Sequence, residues 1–235
     1  MTEDAAGFSE IGDRYGEQLS RGLALTGESA EYFARRRIGR MTKVVSERRA
    51  AAGTILDFGC GTGSSFALLR EQFPDARIVG FEPAAGLREL ATRAAIPSRA
   101  EVLNTAALDL DRKVDVACCN GVFHHIPERE RANAMQSIAR AVRPGGLVFL
   151  WENSPYNPGT RWVMSRIPFD RDARLLVPRE MRSLQRSAGL EVVRTEYHFV
   201  FPRALSAFRP LEPLLRPLPL GGQYLVMGQR RGQPD

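Results

Sequence analysis

Asp57-Phe-Gly-Cys-Gly-Thr-Gly63 sets three glycines at alternate positions, directly after a short apolar run (Thr54 to Phe58) and before a helical pattern. In that context glycines let the backbone turn tightly and come close to a ligand. Two carboxylates frame the loop. Asp57 stands two residues before the first glycine, and Glu82 ends the next apolar run, 19 residues beyond Gly63. A dinucleotide site presents helix N–H groups to a pyrophosphate, and a fixed carboxylate beside that position would repel the phosphate. A phosphate-free nucleoside that ends in a cation suits the pair better. Glu82 would accept hydrogen bonds from both ribose hydroxyls, and Asp57 would balance a methionyl ammonium, directly or through water. Together they fit S-adenosylmethionine.

A second group lies further along the chain. His124 and His125 follow an apolar run, Val114 to Cys119, at the edge where ligands bind in open parallel sheets. An imidazole with its ordinary pKa of about 6.5 can act as a base there. His124 is the candidate catalytic residue of the two, His125 a candidate acceptor contact, and capping of the next helix or packing on the cofactor is the alternative role. Trp151-Glu-Asn-Ser-Pro-Tyr-Asn-Pro158 follows another apolar run and is dense in polar groups. Glu152 is the second catalytic candidate, placed to orient or deprotonate a hydroxyl or amine; its alternative is a strand-end cap or an ion pair with Arg161. Asn153, Tyr156, Asn157 and Arg161 are candidate acceptor contacts. Asn153-Ser-Pro-Tyr156 imitates the Asn-Pro-Pro-Tyr signature of methyltransferases acting on nucleobase or glutamine amino groups, but that signature belongs after the run 114–119, where this chain has Asn120-Gly-Val-Phe123, so the match is rejected.

The elements that must position these groups alternate. Runs at 54–58, 77–81, 101–103, 114–119 and 147–151 read as strands. Between them, Phe66, Leu69 and Phe73, and later Met135, Ile138, Ala139 and Val142, recur at helical spacing. Arg143-Pro-Gly-Gly146 reads as a helix stop and turn. Strands separated by helices of this length give a doubly wound α/β domain with a mainly parallel sheet. Residues 8–50 read as two preceding helices, the second carrying Phe33, Ile38, Met41 and Val45 on one side. Pro202 to Gly222 holds five of the chain's 15 prolines and separates two late strands, 190–201 and 223–228.

Composition bounds the rest. The 235 residues are 43% hydrophobic and 26% charged, enough to bury one α/β core. The net charge of +6 invites a polyanion partner, but only Lys43 and Lys113 are lysines, leaving 31 arginines among the 33 basic residues. That bias, beside abundant Ala and Gly, looks more like base composition than a nucleic-acid footprint. No window of 18 apolar residues offers a membrane span. Met1-Thr-Glu-Asp-Ala-Ala-Gly7 lacks the features of a secretory signal. Cys60, Cys118 and Cys119 form neither a disulfide framework nor a metal-ligand pattern. The expectation is a cytoplasmic protein with reduced cysteines and no metal.

Ile55-Leu-Asp-Phe-Gly-Cys-Gly-Thr-Gly63, Val79-Gly-Phe-Glu82, Asn120-Gly-Val-Phe-His-His-Ile126 and Arg143-Pro-Gly-Gly146 together resemble the successive motifs of the class I S-adenosylmethionine-dependent methyltransferases, over roughly residues 50–152. The resemblance implies a Rossmann-like seven-stranded sheet whose last two strands, 190–201 and 223–230, form an antiparallel edge. It implies a core of residues 51–235 with acceptor-side insertions, preceded by a helical lid of residues 1–50. Asp57, Gly59, Cys60 and Gly61 would line the methionine end, Glu82 and Pro83 the ribose, and Asn120 would bring its backbone near the cofactor. Many relatives have Gly-Asp-Ala after the third strand; here Asn104-Thr-Ala-Ala107 leaves Thr105 as a neutral substitute beside the adenine. Phe8-x-x-Ile-Gly-Asp-Arg-Tyr15 resembles the lid motif of the small-molecule members, so Tyr15 would touch the cofactor or close over the acceptor, or else serve helix packing. The implied reaction is methyl transfer from S-adenosyl-L-methionine, leaving S-adenosyl-L-homocysteine, to oxygen or nitrogen of a small biosynthetic intermediate of sugar or lipid character. An RNA methyltransferase and a non-catalytic cofactor-binding domain are the alternatives. A nucleic-acid partner is not expected. Arg35-Arg-Arg37 reads as a solvated face, and the Pro/Leu-rich stretch as extra packing, an acceptor cover, a peripheral membrane contact or a homodimer contact.

Overall fold

A computed structural model describes residues 22–24, 26–104, 110, 113–167 and 173–232. Tyr15 and Thr105 lie outside the described residues. The elements in chain order are α1 (Ala30–Glu47), β1 (Thr54–Phe58), α2 (Phe66–Gln72), β2 (Arg77–Phe81), α3 (Ala85–Ser98), β3 (Ala100–Leu103), β4 (Val114–Asn120), α4 (Glu128–Ala141), β5 (Val142–Asn153), α5 (Pro158–Met164), α6 (Pro178–Ser187), β6 (Leu190–His198), α7 (Glu212–Leu215) and β7 (Gln223–Arg230). A short 3-10 turn, Phe123–His125, follows β4, and a longer one, Arg203–Leu211, precedes α7.

The seven strands form one sheet in the order β3-β2-β1-β4-β5-β7-β6. β1 to β5 run parallel, and β7 inserts antiparallel between β5 and β6. The chain reverses its direction of travel across the sheet between β1 and β4, and open α/β sheets gather ligands at that switch point. The central strands are apolar on both faces because helices cover both. Ile55, Ile78, Val116 and Phe149 pack with Met41 and Val44 of α1 and Phe66 and Leu69 of α2. Leu56, Val79, Ala117 and Val148 pack with Met135 and Ile138 of α4 and Met181 of α6. Among the described residues no helix is long and apolar enough to cross a membrane.

Two boundaries differ from the sequence reading. Arg143-Pro-Gly-Gly146 is not a turn ahead of the fifth strand; it lies inside β5. Val114 pairs with Val142 and Val116 with Leu147, so the intervening residues bulge out of the ladder, with Gly145 at φ +81°. Arg143 pairs with Asp115 across the bulge. β6 stops at His198 and does not reach 201, because Phe199 takes a left-handed φ of +63° and leaves the ladder. Pro202–Gly222 is also more ordered than a loop, since it carries the longer 3-10 turn and α7.

Candidate active site

The glycine loop joins β1 to α2. Its Gly59 and Cys60 N–H groups both donate to the Phe81 carbonyl, at 2.8 and 3.0 Å, which ties the loop to the end of β2. At Gly59 a Cβ would stand 2.5 Å from Val122, so the close approach excludes any side chain. Gly61 differs. It has a φ of +57°, and no heavy atom lies within 4 Å of where its Cβ would stand, so the loop presents bare backbone to open space. Cys60 is buried, and burial holds its thiol far above the ordinary value, so its contribution there is backbone.

Glu82 is buried at the end of β2, where its carboxylate accepts from the Gly61 N–H (2.9 Å) and the Ala84 N–H (2.9 Å). Those two bonds fix the carboxylate plane and leave acceptor capacity on both oxygens. Pro83 continues the turn, its carbonyl accepting from the Arg88 guanidinium at 2.8 Å. Asp57, also buried, accepts from the Ser65 hydroxyl and from the Cys118 thiol at 3.8 Å. Burial pushes the Asp57 carboxyl above its ordinary value, against those two bonds and the charge of Arg37. Burial likewise pushes Glu82 up, opposed by its two N–H donors and reinforced by the charge of Asp57. Two buried carboxylates beside open backbone, with acceptor capacity to spare on Glu82, form a site that can take further donors. An ammonium and a ribose diol supply such donors, so the residues present fit S-adenosylmethionine.

The second group sits across β4 and β5. Phe123–His125 turns immediately after Asn120-Gly121, whose Gly121 N–H donates to the Trp151 carbonyl at 2.8 Å. The turn brings His124 over the end of β5. His124 Nδ1 stands 2.6 Å from Glu152 Oε2, and the Phe123 N–H donates to Glu152 Oε1 at 2.8 Å. Both side chains are buried. With the proton on Nδ1 the imidazole donates to the Glu152 carboxylate, and Nε2 is then its acceptor nitrogen. Glu152 therefore pairs with His124, not with Arg161. The His125 ring lies against that of His124, centroids 4.0 Å apart.

A cavity of about 410 Å³ opens beside this pair. Asn120, Gly121, His124, Asn153 and Asn157 line it, whereas His125, Tyr156 and Arg161 are outside its lining. Asn153 Oδ1 accepts from Gln223 at 3.2 Å. Asn157 caps α5 by accepting from the Thr160 N–H and also donates to the Leu220 carbonyl at 2.8 Å, so it braces the cavity rim. Aromatic rings make much of the wall: Tyr32 and Phe33 from α1, Trp162 from α5, and Phe199 and Phe201 beyond β6. Phe33 and Phe199 pack edge to face with centroids 4.9 Å apart.

Sequence reasoning missed these rings and Arg37. The arginine triplet divides three ways. Arg35 bonds Glu31 and Glu71 in solvent, Arg36 pairs with buried Glu212, and Arg37 lines the cavity and donates to Gln223 at 3.1 Å. Its four-residue offset from Phe33 on the same helical face was the available signal.

A family described as a methyltransferase domain matches residues 30–195. Trans-aconitate 2-methyltransferase of an Azoarcus species is 30% identical over 137 residues, which are 58% of this chain and 53% of that protein. The chain thus spans about half the length of that relative, and 37% and 35% of the next two of the same name. Demethylmenaquinone methyltransferase of Thermus thermophilus is 30% identical over 169 residues, 70% of this chain and 72% of that one. Among solved structures, a SAM-dependent methyltransferase from Thermotoga maritima superposes with a TM-score of 0.65 at 17% identity, covering 95% of this chain and all of the other; that likeness speaks to the fold.

Proposed function

We propose, for a chain that belongs to the class I S-adenosylmethionine-dependent methyltransferase family, that its acceptor is a small amphipathic molecule methylated on oxygen or nitrogen. The single observation that carries this reading is a 410 Å³ aromatic-walled cavity with a buried His124–Glu152 pair at its edge. The volume is that of a small-molecule site, and the ring-lined walls favour an acceptor with an apolar body. The curated relatives are named for two chemically different acceptors, trans-aconitate and demethylmenaquinone, so the acceptor class is read from the cavity and not from a name.

S-adenosylmethionine supplies, when bound, an activated methyl group on a sulfonium. Glu82 and Pro83 hold the ribose, Gly59, Cys60 and Gly61 offer backbone, Asp57 takes the ammonium, and Arg37 is the cation on the cavity side of Asp57. Asn120, at the end of β4, contributes backbone between the two halves. His124 takes the proton from an acceptor hydroxyl or amine that carries one. Glu152 acts through His124 as a positioning residue, since both its oxygens are engaged by the Phe123 N–H and the imidazole. Asn153 orients the acceptor and Asn157 holds the rim. The first turns of α1 contribute Tyr32, Phe33 and Arg37 to the wall, while residues 1–21 of the proposed lid lie outside the described residues.

Incubating the protein with methyl-labelled cofactor and a bacterial small-molecule extract, followed by mass spectrometry, tests the proposal. Label is expected in a low-molecular-weight amphipathic product. Label confined to RNA, or cofactor binding without any transfer, would overturn it.

A further inference from the structure

The described residues expose nine large apolar side chains, and six of them, Leu205, Phe208, Leu211, Leu214, Leu218 and Leu220, come from one stretch of 16 residues. Leu214 is 76% exposed. Scattered apolar residues on a surface need no explanation, but a concentration of this kind marks a contact. The stretch is structured, with two short helical pieces, and β6 and β7 bracket it on either side. Its outward side chains are therefore displayed on a fixed scaffold.

Charge narrows the choice of partner. The only acid in 202–222 is Glu212, which is buried, bonded to Arg36, and accepts from the Val200 and Phe201 N–H groups at 3.1 and 3.2 Å. No carboxylate of the stretch therefore faces outward, whereas Arg203 is exposed. Across the cavity mouth, α5 adds exposed Arg161 and Trp162, and Arg166 beyond it lies 3.8 Å over the Trp162 ring. The two edges are tied together, because Asn157 bonds the Leu220 carbonyl and Thr160 the Gly222 carbonyl. Pro202 and Trp162 both line the cavity, so the apolar stretch and α5 each adjoin its wall.

We propose that residues 203–220, together with the exposed face of α5, form a docking surface for an anionic phospholipid membrane, against which the mouth of the cavity lies. Leucines and an aromatic ring flanked by arginines, with no outward acid among the described residues of 203–220 and α5, match the chemistry of interfacial binding: the apolar side chains enter the acyl boundary and the guanidinium groups meet the headgroup phosphates. Attachment is peripheral. The proposal stands apart from the acceptor assignment, since docking is read with neither cofactor nor acceptor present.

The experiment is sedimentation of the full chain with vesicles of phosphatidylglycerol and phosphatidylcholine, with phosphatidylcholine vesicles alone as the second arm. Wild type is expected to bind the anionic vesicles at least tenfold more tightly than the neutral ones, and to be released by raised salt. Leu214→Asp combined with Leu218→Asp should lower anionic-vesicle binding at least tenfold with unchanged thermal melting. Arg203→Gln should weaken it by a smaller factor. No binding by wild type, equal binding by wild type and the double variant, or equal binding to both vesicle types would each overturn the proposal. So would a dimer in solution that the double variant disperses while vesicle binding is absent, which would make a second copy of the chain the occupant.

Discussion

Asp57 and Glu82 are held chiefly by partners near them in the chain: Ser65 is eight residues from Asp57, and Ala84 and Gly61 are two and 21 residues from Glu82, the exception being the Cys118 thiol, 61 residues beyond Asp57. On the other side of the cleft, Glu152 reaches back 28 residues to His124, and Arg37 reaches forward 186 residues to Gln223. The first half is two strand ends and one loop. The cavity is assembled from α1, the β4 turn, the β5 end with α5, and the region after β6. A short motif can specify a site whose parts are local, whereas a site assembled from distant segments depends on the whole sheet being formed.

The comparison can be broken first at the base. His124→Ala should lower turnover by about 10²- to 10⁴-fold, the usual contribution of a positioned base, while calorimetry finds cofactor affinity unchanged. Equal loss of both would mean that the halves are not separable. Glu152→Gln should reduce turnover less and displace the pH–rate profile, because it alters the partner of the imidazole without removing the imidazole; an unaltered profile would leave Glu152 a purely structural residue.

Next comes the frame that carries the acceptor wall. Arg40 on α1 bonds Glu196 on β6 through two nitrogens, at 2.8 and 2.6 Å, and both side chains are buried. Breaking such a pair from one side costs about 3–5 kcal/mol because a buried charge loses its partner. Arg40→Met should therefore lower the denaturation midpoint markedly. Addition of S-adenosylmethionine should still raise it, since the cofactor half is built elsewhere.

Glu82→Gln should weaken cofactor binding by about 10- to 100-fold, on the scale of lost charge-assisted hydrogen bonds, with little change in the turnover rate at saturation. The smallest effect is that of acid. Burial pushes Glu196 up, but bonds from Arg40 and His198 outweigh it, and the carboxyl ends well below its ordinary value. Its stabilising contribution is complete above about pH 4.5, the ordinary glutamate value, and is lost as pH falls towards the folded value. Burial depresses His198, against the pull of Glu196, so the unfolded chain takes up that proton first and stability declines below about pH 6.5 as well. The two slopes have the same sign. Melting temperature should fall steadily from pH 7 to about pH 2, and a Glu196→Gln variant should lose the part of the decline that lies below about pH 4.5.

The residues proposed for the cofactor half stand out in the chain itself. Gly-x-Gly-x-Gly after an apolar run fixes a turn, and Asp57 and Glu82 fall at strand ends by counting along the chain. The alternation of apolar runs and helical stripes likewise prescribed the doubly wound sheet, because period-2 and period-3.6 patterns are local properties of a chain. The sequence also brought forward His124 and Glu152, each as a single residue, yet could not show that the two share a hydrogen bond, since that depends on β4 and β5 lying side by side in register. Tyr156 and Arg161, chosen for lying near Glu152 in the chain, are outside the cavity lining because α5 begins at Pro158 and turns Arg161 away. Arg37, Phe199 and Gln223 join the wall from segments that no spacing rule links, since their proximity is a property of how β6 and β7 close the sheet beside α1. What the sequence by itself determined was the loop, the two carboxylates and the class of fold. Only the tertiary structure decided which distant side chains share the cavity, because packing in three dimensions, and not order along the chain, sets their distances.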